Sequence, residues 1–194
     1  MKSSARSALK VGPLEKIISG GQTGVDRAAL DVAIELGIPC GGWCPQGRRS
    51  EDGVIPEQYP LQEAPTSNYA DRTALNVRDS DGTLILAKAP LRGGTALTQK
   101  MADRYGRPSR VVDPRDVASI AAVIEWLKAN RIKVLNVAGP RESLRQDVGH
   151  AAAQFLRRLL LKPNDFQRKG AKTAKDRQEA VVLGTFALNA PGTE

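Results

Sequence analysis

A short apolar run, Lys16-Ile17-Ile18-Ser19, passes directly into Gly20-Gly21-Gln22-Thr23-Gly24, and helical periodicity begins at once. A buried strand feeding a glycine turn and then a helix constrains the fold more than any other feature of the chain. That junction belongs to parallel sheets, whose strands are linked by crossover helices. The stripe Val25, Ala28, Ala29, Val32, Ala33 and Leu36 predicts a helix from about Thr23 to Leu36. Gly37 stands where a C-terminal capping glycine belongs, and Pro39 lies just beyond it.

The same alternation recurs along the chain. A second strand is expected over 38–42, followed by a long Pro- and Gly-rich irregular stretch over 43–65. Loops of that length are often functional. Ser67 is expected to cap a helix from about Asn68 to Val77. Strands are expected at 83–87, 109–112 and 134–137. Helices are expected from the Arg92-Gly93-Gly94-Thr95 turn to about Tyr105, over 117–129, and over 147–161. Five strand–helix repeats argue for an α/β fold with a mostly parallel sheet covered on both faces.

Charge divides the chain into three parts. The net charge is +8 over 194 residues. Residues 1–14 contribute +3, residues 15–161 contribute +3, and residues 162–194 contribute +2. The expected organisation is therefore a basic N-terminal arm (1–14), a ligand-binding domain (15–161), and a basic, largely irregular tail (162–194). Within that tail, Val181 to Leu188 reads either as a docked strand or as an exposed apolar segment. The body lacks the concentrated basic face that nucleic-acid binding needs. Aromatic residues are only 4%, which leaves few stacking platforms for single strands. No apolar run is long enough to span a membrane, and the first thirteen residues lack the apolar core of a secretory signal. Cys40 and Cys44 are the only cysteines and His150 the only histidine. This excludes a disulfide framework and a Cys/His zinc cluster, and it fits a reducing cytoplasm.

Three strand-to-helix loops carry the polar residues: 19–26, 92–95 and 136–143. In an open parallel sheet the C-terminal strand ends share one rim, where ligands bind. Gly20, Gly21 and Gly24 permit close backbone approach, while Gln22 and Thr23 add polar groups. The following helix N-terminus favours an anion. The spacing G-G-x-x-G is neither a dinucleotide fingerprint nor a P-loop. Asp26 serves the helix dipole or contacts a hydroxyl or ring N–H. Arg27 reads equally as a phosphate clamp and as a solvated arginine. Gly93, Gly94, Thr95 and Thr98 repeat the theme at the second loop, and Asn136 and Arg141 stand at the third. Tyr69, Arg72 and Asn76 share one helical face, with Arg78 and Asp79 beyond. That face reads either as a ligand wall or as a solvated surface.

Several long segments resemble the molybdenum cofactor carrier protein family. They are Ile18 to Asp31, Gly41 to Pro45 with Gly47-Arg48, Glu51-Asp52-Gly53, Asn76 to Ile85, Gly93 to Thr98, and Leu135 to Ser143. The resemblance implies a Rossmann-like three-layer fold, akin to lysine-decarboxylase-like and "lonely guy" proteins. It implies binding of molybdenum cofactor (molybdopterin) or of a nucleotide in its place, molybdoenzymes as recipients, and a homo-oligomer. The related phosphoribohydrolases end their Pro-Gly-Gly-x-Gly-Thr-x-x-Glu motif on a catalytic Glu. Here that stretch closes on Thr98, without the acid. Expected function is thus binding and carriage rather than catalysis. A nucleotide-processing hydrolase, using Asp26 or Asp79 as acid or base, is the alternative.

Overall fold

The computed structural model describes residues 14–161. The N-terminal arm and the tail, with its apolar run 181–188, lie outside the described residues. The elements alternate as the hydrophobic periods dictate. β1 (Lys16–Ile18) leads to α1 (Val25–Leu36) and β2 (Cys40–Gly41). Four two-residue strands follow: β3 (Trp43–Cys44), β4 (Arg49–Ser50), β5 (Gly53–Val54) and β6 (Gln62–Glu63). Then come α2 (Tyr69–Arg78), β7 (Gly82–Leu86), α3 (Gly93–Arg104) and β8 (Ser109–Val112). A 3-10 turn (Val117–Ser119), α4 (Ile120–Ala129), β9 (Val134–Ala138), a second 3-10 turn (Glu142–Leu144) and α5 (Val148–Leu160) complete the series.

Five of these strands form one parallel sheet in the order β2-β1-β9-β7-β8. The last strand therefore lies at the centre, with Ile17 beside Leu135 on one side and Leu84 beside Val137 on the other. Both faces of a parallel sheet are covered, so its strands read as continuous apolar runs. β7 is buried at all five positions. On one face α1, α4 and α5 enclose the main core, including Ile17, Val32, Leu84, Val137, Phe155 and Leu159. On the other, α2 and α3 pack together, and α3 lies against β7 and β8. The result is a Rossmann-like three-layer α/β fold.

Helix ends follow their local chemistry. Gly37 adopts a left-handed conformation, and its N–H and that of Ile38 return to the α1 carbonyls. The α2 cap is Asn68 rather than Ser67: its side chain accepts a hydrogen bond from Ala70 N at 3.0 Å. The stretch 43–65 is ordered by hydrogen bonds more than by an apolar period. Arg48 donates to the carbonyls of Ile55, Pro56, Tyr59 and Leu61, closing this excursion around one guanidinium. A small second cluster, Leu30, Cys44, Ile55, Tyr59 and Leu61, packs beneath it.

Candidate functional site

β1, β7 and β9 are consecutive neighbours or next neighbours in the sheet, so their C-terminal loops converge. Between them lies a cleft of about 480 Å³. The first loop contributes Gln22 and Asp26, the second Arg92 to Thr95 with Leu97 and Thr98, and the third the segment 138–141 with Leu144. α2 closes the remaining side with Tyr69, Arg72 and Thr73. Of the residues singled out from sequence, the cleft gathers Gln22, Asp26, Tyr69, Arg72, Gly93, Gly94, Thr95, Thr98 and Arg141.

The first glycine loop is filled from within the protein. Gln22 N–H points to Asp26 Oδ2 at 3.4 Å, Thr23 N–H donates to Gln22 Oε1, and Val25 N–H donates to Pro140 O. Gly24 has φ 75°, and a Cβ there would lie 2.6 Å from Pro140 O. Gly21, also at positive φ, packs on Leu61 and Ile55. These two glycines thus serve close packing, and in the loop expected to cradle an anion the N–H groups of Gln22 and Thr23 already have partners within the protein. Gly20 answers to a different neighbour: a Cβ there would overlap the Arg72 guanidinium and approach Asp26 Oδ2 to 2.8 Å.

The second loop is open. α3 begins on Gly93 and Gly94, and its N-cap residue Arg92 makes no side-chain cap. The leading N–H groups of a helix have no intrahelical partner. A Cβ at Gly93 or Gly94 would meet nothing within 4 Å. Gly93 needs its glycine for φ 51°, whereas Gly94 has neither a positive φ nor a crowding neighbour. Thr98 Oγ1 turns inward and donates to Gly94 O at 3.0 Å.

Charge in the cleft comes from Arg72, Arg92 and Arg141 against one acid, Asp26. Arg72 Nη2 lies 3.2 Å from Asp26 Oδ2, and their side chains are 13% and 4% exposed. Burial pushes the Asp26 carboxyl above the usual range, against the opposing pull of the Arg72 charge. Arg72 Nε is the one buried side-chain nitrogen or oxygen among the described residues that lacks a hydrogen-bond partner. Such atoms call for an explanation, because a buried N–H left unpaired is costly.

Other sequence-selected residues are committed elsewhere. Arg27 pairs with Asp52 at 2.5 Å and donates to Ser50 Oγ and Gly21 O, so it braces the loop over 43–65. Asn76 is buried and holds both N–H and C=O of Trp43, each at 2.9 Å. Arg78 pairs with Asp79, which also accepts from Trp43 Nε1 at 2.8 Å. Arg78 and its bond to Asp79 keep that carboxyl below its ordinary range. Thr23 Oγ1 donates to Glu51 and accepts from Glu142 N at 3.2 Å. None of Arg27, Asn76, Arg78, Asp79 or Thr23 lines the cleft. Asn136 is buried in β9, donating to Thr83 Oγ1 at 3.2 Å. Of the α2 stripe Tyr69, Arg72 and Asn76, the first two reach the cleft and Asn76 does not. Arg92, Thr73, Leu97 and Leu144 were not singled out from sequence. Arg92 had a signal, as the cation immediately before a Gly-Gly helix start; Leu144, 68% exposed, had none.

Among the described residues, no group of three His, Cys, Asp or Glu is arranged to hold a metal ion. None of their helices is long and apolar enough to cross a membrane.

The model of the circularly permutated YpsA SLOG family matches residues 17–160. A solved structure from Syntrophus aciditrophicus, described as a "putative molybdenum carrier protein", is 46% identical. It aligns over 76% of this chain and 95% of that one, with a TM-score of 0.74. No curated protein matches.

Proposed function

The chain belongs to the circularly permutated YpsA SLOG family, and from that premise we propose that its cleft binds a small anionic molecule for carriage or protection. The ligand we propose is molybdenum cofactor or a related phosphorylated pterin or nucleotide. One observation carries this reading: three arginines, 72, 92 and 141, and the uncapped N-terminus of α3 surround a single cleft of about 480 Å³. That volume suits a small molecule, for which pockets run from roughly 300 to 1,000 Å³. Gly93 and Gly94 let a phosphate reach the backbone amides, and the guanidiniums give it bidentate partners. Tyr69, Leu97 and Leu144 supply apolar and aromatic surface within the cleft for a ring. The name given to the Syntrophus protein agrees with this ligand class. In this reading the phosphate sits on the open α3 N-terminus rather than on the first loop, where Gln22 and Thr23 N–H are partnered.

The proposal includes a cytoplasmic homo-oligomer that hands its ligand to molybdoenzymes. Free thiols at Cys40 and Cys44 fit a reducing compartment. The test is native mass spectrometry of freshly purified protein, followed by thermal-shift titration with molybdopterin and with nucleoside monophosphates. A co-purified phosphorylated small molecule, and a shift abolished by Arg141→Ala, are expected. No shift with any of these ligands would sink the reading.

A second reading rests on Asp26, a buried carboxyl in the cleft whose pKa is raised. A group so tuned can serve as a general acid in hydrolysis of a nucleotide-derived ligand. Asp79, the other acid considered, stands outside the cleft. Prolonged incubation with nucleoside monophosphates, read by chromatography, separates the readings: product that disappears in Asp26→Asn favours the enzyme, and absence of product excludes it for those substrates.

A further inference from the structure

The Asp26–Arg72 pair occupies an unusual place, because it is an internal ion pair that also forms part of the cleft wall. Gly20 leaves just enough room for the guanidinium to lie against β1's end. One edge of that guanidinium is spent on Asp26, while Nε–H is buried and unpartnered. Arg72 thus has one counter-ion within the protein and donor capacity left over.

Resting on the binding reading above, we propose that Arg72 is the deep anchor for the ligand's anionic group and that Asp26 takes up a proton when that anion binds. The anion becomes the counter-ion of Arg72, and Asp26 passes from carboxylate to carboxylic acid with a proton drawn from solvent. No covalent bond in the ligand changes.

The electrostatic surroundings give the direction. Asp26 is faced from α2 by Arg72, from its own loop by Gln22 N–H, and from β1 by Ser19, whose hydroxyl donates to Val137 O. Arg92 and Arg141 stand across the cleft from the second and third loops. From the loop over 43–65, Glu51 lies against Arg141, Arg27 is neutralised by Asp52, and burial keeps the Cys44 thiol protonated. The strongest favourable influence on the Asp26 charge is therefore Arg72, the group an anion would engage, with Gln22 N–H and Ser19 adding to it. An incoming anion weakens that support and adds like charge beside the carboxylate. Both changes favour the protonated form. Burial already holds the carboxyl above its usual range before any ligand arrives.

Proton uptake makes affinity fall as pH rises, by up to about tenfold per pH unit for one proton, above the Asp26 pKa. Sulfate is a suitable probe because it keeps one charge state from about pH 5 to about pH 9, so the protein alone titrates. Calorimetric titration of the full chain with sulfate, repeated in buffers of different ionisation enthalpy, counts the proton directly. The expected result is tighter binding at lower pH, uptake approaching one proton, and loss of both effects in Asp26→Asn. The count is made on the wild-type protein, so it stands even if that variant fails to fold. Sulfate binding that Arg141→Ala weakens, but that is independent of pH and buffer, would overturn proton exchange and leave the binding reading intact. Absence of sulfate binding across the whole range would overturn both.

Discussion

Gly20 and Gly94 lie on loops at the same rim, yet a methyl group would meet opposite surroundings at the two. At Gly20 it would collide with the Arg72 guanidinium, so Gly20→Ala should push Arg72 off its seat. Anion affinity is expected to fall at least about tenfold, the loss of roughly one charged hydrogen bond. At Gly94 the methyl would enter open space in an α-helical first turn. Gly94→Ala should leave the free protein as stable or up to about 1 kcal/mol more so, since alanine is the better helix former. The same methyl would stand where a ligand approaches the amides, so affinity should drop. Thermal melts with and without sulfate check both variants, and equal melts with unchanged binding in Gly94→Ala would remove the α3 amides from the site. Sequence made the glycines visible but not their neighbours. Arg27 shows the same limit: its position in a first helical turn is legible, but its pairing with Asp52, twenty-five residues on, depends on a loop with no period to read.

That loop, 43–65, behaves as an element with its own fastenings. Glu51 bonds Thr23 Oγ1, Ser143 N at 3.2 Å and Ser143 Oγ, and lies 3.5 Å from Arg141. It ties the loop to the first and third rims together. Asp52 does the same for α1 through Arg27. Hydrogen bonds from Arg27 and Ser50 lower the Asp52 carboxyl to about 2, and those from Ser143 and Thr23 outweigh desolvation to lower Glu51 as well. For a depressed carboxyl, the stabilisation is complete above the unfolded pKa and is lost as pH falls through the folded one. The fastening should therefore hold down to about pH 4 and release towards about pH 2. Asp52's side chain is 47% exposed, so solvent screening keeps its share of global stability small. The expected readout is local: amide exchange over 45–65 should quicken in acid before the sheet does, and Glu51→Gln should show that loosening already at neutral pH. Simultaneous exchange of loop and sheet would contradict this. Composition marks the segment as irregular. The two charged ties were not legible because each joins residues far apart in sequence, and the Arg48 brace was not because it works through side-chain geometry onto backbone carbonyls of an irregular loop.

Strand–helix alternation made the whole-molecule class legible, since each crossover helix forces its strands to be parallel. The order of strands was not, because periodicity reports which residues are buried and says nothing about which strand lies next. β9 enters between β1 and β7, and α5 then packs on α1. The final helix thus closes the core begun by the first. It also holds the site: Gly149 N–H at its start donates to Glu142 Oε2 at 3.0 Å, and Glu142 adjoins Arg141. Phe155, 2% exposed, lies in the middle of that helix's buried face. Phe155→Ala should cost about 3–5 kcal/mol, combining lost transfer energy with a cavity the parallel sheet cannot collapse to fill. The cavity would open in the core on the sheet face of α1, α4 and α5, whereas Arg72 and the α3 N-terminus stand on the other side of the strands or at their ends. Urea unfolding should therefore show a large drop in midpoint, while sulfate affinity of the folded fraction stays within about twofold of wild type. A comparable loss of affinity would mean that α5 sets the rim through Glu142 and that core and cleft are one mechanical unit.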